Sequence, residues 1–174
     1  MQSPWMATRR QASARSGQAS SDFEHACRHA ELEPQPGLSA VKGEYRPGVA
    51  LKLGHRHTAS VDLDACLLAS EPTAARWDYG IGMRGESGQE SLVWLEAHPA
   101  SSTGEVQKML DKLAWLKDKL NQPAFAHLRR LEHEVSAYRW LAMTGAIRIL
   151  PHSAEARRLA KAGLSSPQRR VELP

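Results

Sequence analysis

Several features that would assign a chain to a protein class are missing from these 174 residues. There are two cysteines, Cys27 and Cys66, and neither belongs to a Cys-x-x-Cys pair, which argues against a zinc ribbon or a dithiol redox motif. No apolar run approaches the roughly 20 residues that span a bilayer. The N-terminus also lacks the continuous apolar core of a secretion signal. We therefore expect reduced cysteines, no membrane partner and a cytoplasmic location.

Motifs that mark common enzyme classes are missing too. There is no Gly-x-Ser-x-Gly nucleophile motif, no phosphate-binding P-loop and no dinucleotide-binding glycine pattern. His133-Glu134 lacks the second histidine of the His-Glu-x-x-His zinc protease motif. The absence of these motifs argues against a serine hydrolase, a P-loop NTPase, a dinucleotide-dependent enzyme and this type of metalloprotease.

Composition and charge are those of an ordinary globular protein. The chain is 41% hydrophobic and 24% charged, and its net charge of +4 is mildly basic. Such a charge permits contact with a polyanion without requiring it. Residues 1–19 are small, polar and aperiodic, so we expect a disordered leader, then one domain over residues 20–163 and a tail over residues 164–174.

Apolar periodicity and cap signals predict helices interleaved with strands. Ser21 and Glu24 have capping-box spacing, and Ser102 and Glu105 repeat it before the clearest helical stripe of the chain. Gly163 is placed to end the last helix. The predicted elements are a helix from Ser21, strands near 61–67, 76–82, 93–99 and 137–143, and helices over 103–120 and 153–162. The expected fold class is α/β or α+β, with a single mixed sheet flanked by helices.

Two of the predicted strands each carry one acid among apolar residues, Asp78 and Glu96. Burying an unpaired charge costs free energy on the order of several kcal/mol, so each acid needs a partner, and a shared metal ion would be one. In a hairpin that pairs Asp78 with Glu96, Gly80 faces Trp94 and the midpoint, Ser87, falls in a turn-like run. This register predicts that the two carboxylates lie side by side.

The element order, with Asp78 on one strand and Glu96-Ala97-His98 on the next, resembles the restriction endonuclease-like superfamily of PD-(D/E)xK nucleases. Members of that family share an αβββαβ core. Their motif is an aspartate followed, on the adjacent strand, by Glu-x-Lys or Asp-x-Lys. The resemblance implies that Asp78 and Glu96 bind a metal ion and that His98 stands where the family usually has its lysine.

The resemblance also implies a function, a metal-dependent nuclease-like protein that hydrolyses phosphodiester bonds of DNA or RNA with Mg²⁺ or Mn²⁺. Its catalytic residues would be Asp78, Glu96, His98 and Lys108, the last being a lysine moved to the following helix. Lys112, one turn later, is a second candidate for that lysine. Because histidine is mostly uncharged at neutral pH, the alternative is an inactive member of the fold that binds nucleic acid or a protein partner.

Simpler interpretations stay open for the two acids. Asp78 and Glu96 could form structural ion pairs with arginines on neighbouring predicted strands, namely Arg76, Arg139 and Arg148. An acid on the first helix, Glu24, could instead join the metal site, as in some members of the family.

Other residues carry weaker signals. His25 and His29 are four residues apart on the first predicted helix, a spacing that suits zinc, although further ligands are not evident in the sequence. The tryptophans on the predicted elements fit a hydrophobic core better than a base-stacking surface.

Overall fold

The computed structural model describes residues 20–174, so the leader predicted for residues 1–19 lies outside the described part. The α-helices are α1 (Asp22–His29), α2 (Leu63–Leu67), α3 (Gly104–Leu120), α4 (Ala126–Leu131) and α5 (Ala154–Ala162). The strands are β1 (Gln35–Pro36), β2 (Val49–Leu51), β3 (Arg56–Asp62), β4 (Tyr79–Arg84), β5 (Glu90–His98), β6 (Tyr138–Ala142) and β7 (Val171–Leu173).

A mixed five-stranded sheet in the order β1-β3-β4-β5-β6 forms the centre of the fold. Its neighbours β1–β3, β3–β4 and β4–β5 pair antiparallel, whereas β5 and β6 are parallel. A parallel pair needs a crossover, and α3 and α4 supply it between β5 and β6. The fold is α+β with a mixed sheet flanked by helices, which confirms the expected fold class.

The register of the β4–β5 hairpin is the predicted one. Gly80 lies opposite Trp94, and a Cβ atom on Gly80 would stand 2.8 Å from the Trp94 ring, so the missing side chain makes room for the indole. The same register, extended by one pair, places Asp78 opposite Glu96. The residue pattern of these two strands therefore predicted their pairing correctly.

Helices α1 and α3, for which the sequence predicts the same capping box, are capped differently at their N-termini. The capping box of α1 is confirmed, since the Ser21 hydroxyl accepts from the Glu24 amide and the Ser21 amide donates to the Glu24 carboxylate. The box predicted at Ser102 is wrong. Thr103 is the N-cap of α3 without a side-chain bond, and Ser102 only accepts the Glu105 amide at its carbonyl.

The strand predicted over residues 61–67 is wrong after Asp62. The Asp62 carboxylate accepts a 2.8 Å hydrogen bond from the Ala65 amide and so caps the short helix α2. A local side-chain bond to the backbone favours a helix start over an extended chain here, although the apolar alternation continues.

Residues 164–174, which the sequence analysis separates as a tail, contain β7. This strand pairs parallel with β2 in a second, two-stranded sheet, and its residues Val171 and Leu173 are fully buried. A strand of three residues is too short to show an alternation of apolar and polar residues. The sequence therefore did not predict β7 or its pairing with β2.

The core lies on both faces of the main sheet. Helices α1, α3, α4 and α5 cover one face, where Trp77, Trp94 and Trp140 are fully buried, as expected for core tryptophans, whereas Trp115 on α3 is only partly buried. The small sheet β2–β7 covers the other face, over Ile81 and Leu95. In the described residues no helix combines the length and apolar character needed to cross a membrane.

Candidate functional site

Asp78 and Glu96 meet at one end of two inner strands of the main sheet, where β4 begins and β5 nears its end. The Asp78 amide donates to Glu96 Oε2 at 2.9 Å, and the Ala97 amide donates to Asp78 Oδ2 at 3.1 Å. Each carboxylate is thus oriented by the backbone of the opposite strand. One oxygen of each acid, Asp78 Oδ1 and Glu96 Oε1, is left for another partner.

That partner is Lys112, from the middle of α3. Its ammonium donates to Glu96 Oε1 and lies 3.4 Å from Asp78 Oδ1, so it bridges the two acids. The Glu96 side chain is fully buried, whereas those of Asp78 and Lys112 are each 21% exposed. Solvent therefore reaches the cluster from the side of Asp78 and Lys112.

The electrostatics of this cluster follow from burial and from the two like charges. Burial raises the pKa of Glu96, the Asp78 charge raises it further, Lys112 opposes both, and the resulting pKa is about 8. Burial disfavours the charged form of Lys112, but the carboxylates of Glu96 and Asp78 outweigh it and raise the pKa of the lysine. Lys112 is therefore charged at neutral pH, whereas a Glu96 carboxyl with a pKa of about 8 is mostly protonated there.

His98, two residues after Glu96 on β5, does not contact the acid pair through its ring. Its Nε2 atom lies 2.6 Å from Glu105 Oε2 near the start of α3, and its carbonyl accepts from the Trp140 indole at 2.9 Å. The bond to His98 is the main reason why the pKa of Glu105 is lowered. His98 is thus held in a fixed orientation beside the cluster, on the strand that carries Glu96.

Lys108, the lysine favoured by the sequence analysis, lies away from the acids. It is 64% exposed and pairs with Glu105 at 3.2 Å. The helical period explains why Lys112 is the inward residue: at about 100° per residue, Lys112 is about 40° closer than Lys108 to the buried stripe of α3. The sequence carried this signal, since Met109, Leu113 and Leu116 mark that stripe.

The arginines considered as structural partners do not take that place. Both acids pair with Lys112, and Arg76 instead pairs with Asp64 at 2.8 Å. Glu24 belongs to the capping box of α1 and pairs with Arg28, so it is used elsewhere.

Asp78 and Glu96 are the residues of this cluster that could hold a hard divalent cation. Two carboxylate oxygens already face one cation, the Lys112 ammonium, and Mg²⁺ prefers carboxylate oxygens together with water. Within residues 20–174 no group of three or more His, Cys, Asp or Glu side chains is arranged to hold a metal. Asp78 and Glu96 would therefore be the protein's share of such a site, with water and substrate oxygens completing it.

Comparisons with known proteins leave the family open. No known protein-family profile and no solved structure matches the chain. A segment of 48 residues is 40% identical to Peptidase B of Yersinia pseudotuberculosis (strain IP 31758) and of Yersinia pestis (strain Pestoides F). This segment covers 28% of the present chain and 11% of the Peptidase B chains. So short a match carries over neither a fold nor an activity.

Proposed function

We propose that this protein is a metal-dependent phosphodiester hydrolase related to the restriction endonuclease-like nucleases. The observation that carries the proposal is the cluster of Asp78, Glu96 and Lys112. An acid just before β4, an acid on the neighbouring antiparallel strand β5 and a lysine on the crossover helix face one another. The lysine would take the role that His98 at the family's lysine position does not fill.

The arrangement of elements supports the same proposal. Helix α1, the antiparallel strands β3, β4 and β5, the crossover helix α3 and the parallel strand β6 follow in the order αβββαβ that the resemblance implies. Asp78 directly precedes the second of these strands, and Glu96 lies on the third. The short helix α2 and the small sheet β2–β7 are additions to that core.

Each residue would have a distinct task. Asp78 and Glu96 would hold Mg²⁺ or Mn²⁺, which when bound polarises a phosphate and acidifies a water molecule. Lys112 would bind a phosphate oxygen once the cation relieves it of its bridge between the acids. His98, oriented by Glu105, would accept a proton beside the site.

A second candidate is an inactive member of the same fold that binds nucleic acid. It is favoured by the bridge itself, because a lysine bonded to both acids satisfies the buried Glu96 without any metal. In that case the cluster would be structural, and binding would depend on the mildly basic surface.

Cleavage of end-labelled DNA and RNA in Mg²⁺ or Mn²⁺ tests the proposal. We expect cleavage that chelation abolishes and that Asp78→Asn and Lys112→Ala each slow on the order of a hundredfold or more. Asp118→Asn, an exposed acid on the same helix as Lys112, is the matched control and should cleave like the wild type.

Two results would contradict the proposal. One is equal cleavage by the wild type and Asp78→Asn, which would point to a contaminating nuclease. The other is no cleavage of either nucleic acid, together with no magnesium or manganese binding in calorimetry. Nucleic-acid binding that weakens steeply with salt would then favour the inactive alternative.

A further inference from the structure

A cleft between α1 and α4 carries three histidines that the proposed function does not use. Its volume is about 500 Å³, and Asp22, His25, His29 and His127 are among the residues that line it. All three histidine side chains belong to exposed residues. None of them takes part in the contacts of the Asp78–Glu96–Lys112 cluster.

Their spacing is that of a helical metal chelate. His25 and His29 are four residues apart on α1, so their rings project from the same face of the helix, as the two histidines of zinc protease helices do. His127 reaches this face from α4. Its ring centroid lies 4.5 Å from that of His29, with a 48° angle between the ring planes.

The hydrogen bonding of His29 prepares one nitrogen for a metal. Its Nδ1 atom lies 3.2 Å from the Ala124 carbonyl oxygen. A carbonyl can only accept, so Nδ1 carries the proton, and in the neutral imidazole Nε2 then presents a lone pair. A backbone carbonyl that fixes the tautomer in this way is the usual second partner of a metal-ligating histidine.

We propose that His25, His29 and His127 together bind a divalent transition metal of the class that prefers imidazole, such as Zn²⁺, Ni²⁺ or Cu²⁺. With Zn–N bonds of about 2.0–2.1 Å, two imidazoles on one tetrahedral zinc have ring centroids about 5 Å apart, close to the spacing of His29 and His127. Asp22 or a water molecule would take the fourth position.

The three side chains have to change rotamer to bind the ion. As they stand, they do not form a ready coordination group within the described residues. Exposed rings rotate between staggered rotamers without displacing core packing, so the ion itself can gather them. The ion would link α1 to α4, two helices that pack side by side over the sheet.

Titration of the tag-free full chain with ZnCl₂ and CuCl₂ tests this site. We expect one equivalent of Zn²⁺ in calorimetry and a melting temperature that rises with zinc concentration. His127→Ala should weaken zinc binding by more than about tenfold, and His29→Ala should do the same. In the paramagnetic resonance spectrum of the Cu²⁺ form, His127→Ala should lower the number of coupled imidazole nitrogens from three to two.

The control is His152→Asn, which removes an exposed histidine outside the cleft. Asparagine tolerates the positive φ of 65° at this position, so the backbone should not be strained. Wild-type binding by this variant and by Asp78→Asn would separate the histidine site from the candidate catalytic cluster. Unchanged zinc affinity and an unchanged copper spectrum in His127→Ala would overturn the proposal, as would a wild type that binds no zinc. If metal-free His127→Ala melts lower than the wild type, His127→Gln replaces it.

Discussion

Glu96 is a fully buried acid whose charge depends on one neighbouring side chain. Lys112 is the ammonium that bonds to it, and the pKa of Glu96 is still raised to about 8 by burial and by Asp78. Because the folded form holds its proton more tightly than the unfolded chain, this group makes the protein less stable as the pH rises from 4.5 towards 8. Loss of Lys112 should extend that decline to higher pH.

Lys112→Met tests this dependence. We expect the free energy of unfolding to fall by about 3–5 kcal/mol at alkaline pH, because breaking a buried pair leaves an uncompensated charge. The loss should be smaller near pH 6, where Glu96 can stay protonated. Urea unfolding at both pH values measures it, and equal losses at the two would contradict the prediction.

Lys108→Met is the matched control for that substitution. Lys108 is 64% exposed, and its ion pair is with Glu105, three residues earlier on the same helix. We expect its unfolding free energy to stay within about 0.5 kcal/mol of the wild type at either pH.

His57 on β3 should contribute to acid sensitivity. Burial lowers the pKa of its imidazole below the ordinary value of 6.5, and its Nε2 atom is buried without a hydrogen-bond partner in the described residues. The unfolded chain therefore binds a proton that the folded chain resists, and stability is lost as the pH falls through the unfolded pKa of 6.5 towards the lower folded value.

His57→Gln removes this titration. Between about pH 7.5 and about pH 5, we expect the variant to lose less unfolding free energy than the wild type. Urea titrations at several pH values measure the two slopes. His152→Asn should keep the wild-type slope, and a parallel pair of curves for His57→Gln and the wild type would contradict the prediction.

Helix α1 is placed on the sheet by one close contact and one buried acid. The Phe23 ring lies where a side chain on Gly82 of β4 would be, since a Cβ there would stand 2.6 Å from the ring. Glu90 accepts the Phe23 amide at 2.9 Å and pairs with Arg84 at 2.6 Å. The hairpin β4–β5 and α1 therefore form one packed unit.

Gly82→Ala should disturb that unit. We expect a loss of about 1–3 kcal/mol in unfolding free energy, because the added methyl group forces Phe23 and α1 outward. Thermal and urea unfolding measure the loss. Gly43→Ala is the control, since a Cβ there meets nothing within 4 Å, and a Gly82→Ala protein as stable as that control would show that α1 is packed differently.

The second face of the main sheet is closed by distant parts of the chain. Strand β2 and strand β7 are separated by more than a hundred residues, yet they pair and cover Ile81, Leu95 and Leu141. Leu173 on β7 is fully buried, whereas Leu53, near the end of β2, is 95% exposed. The two leucines therefore allow the same substitution to be compared in a buried and an exposed position.

Leu173→Ala and Leu53→Ala measure how much this closure stabilises the molecule. We expect Leu173→Ala to cost about 2–5 kcal/mol of unfolding free energy, because it removes buried methyl groups and leaves a cavity. Leu53→Ala should change it by less than about 0.5 kcal/mol. If urea unfolding shows that Leu173→Ala lowers the unfolding free energy as little as Leu53→Ala does, β7 is not part of the cooperative core.

Local patterns in the chain were enough for the hairpin and for one end of α1. The period of two, with glycine opposite tryptophan, predicts the β4–β5 register and so the meeting of Asp78 and Glu96. The Ser21–Glu24 spacing predicts a capping box because its bonds lie within one turn. The mixed sheet flanked by helices follows from the order of such elements, whereas the small sheet on its second face does not.

Tertiary packing alone decided the features that join distant segments. The apolar stripe of α3 marks Lys112 as nearer than Lys108 to the buried face, but only the packing of α3 on the sheet brings that lysine to Asp78 and Glu96. The pairing of β2 with β7, and the approach of His127 to His29, depend on contacts between residues far apart in sequence. A periodic pattern describes which face of an element is buried, but the partner of that face is chosen by the packing of the complete chain.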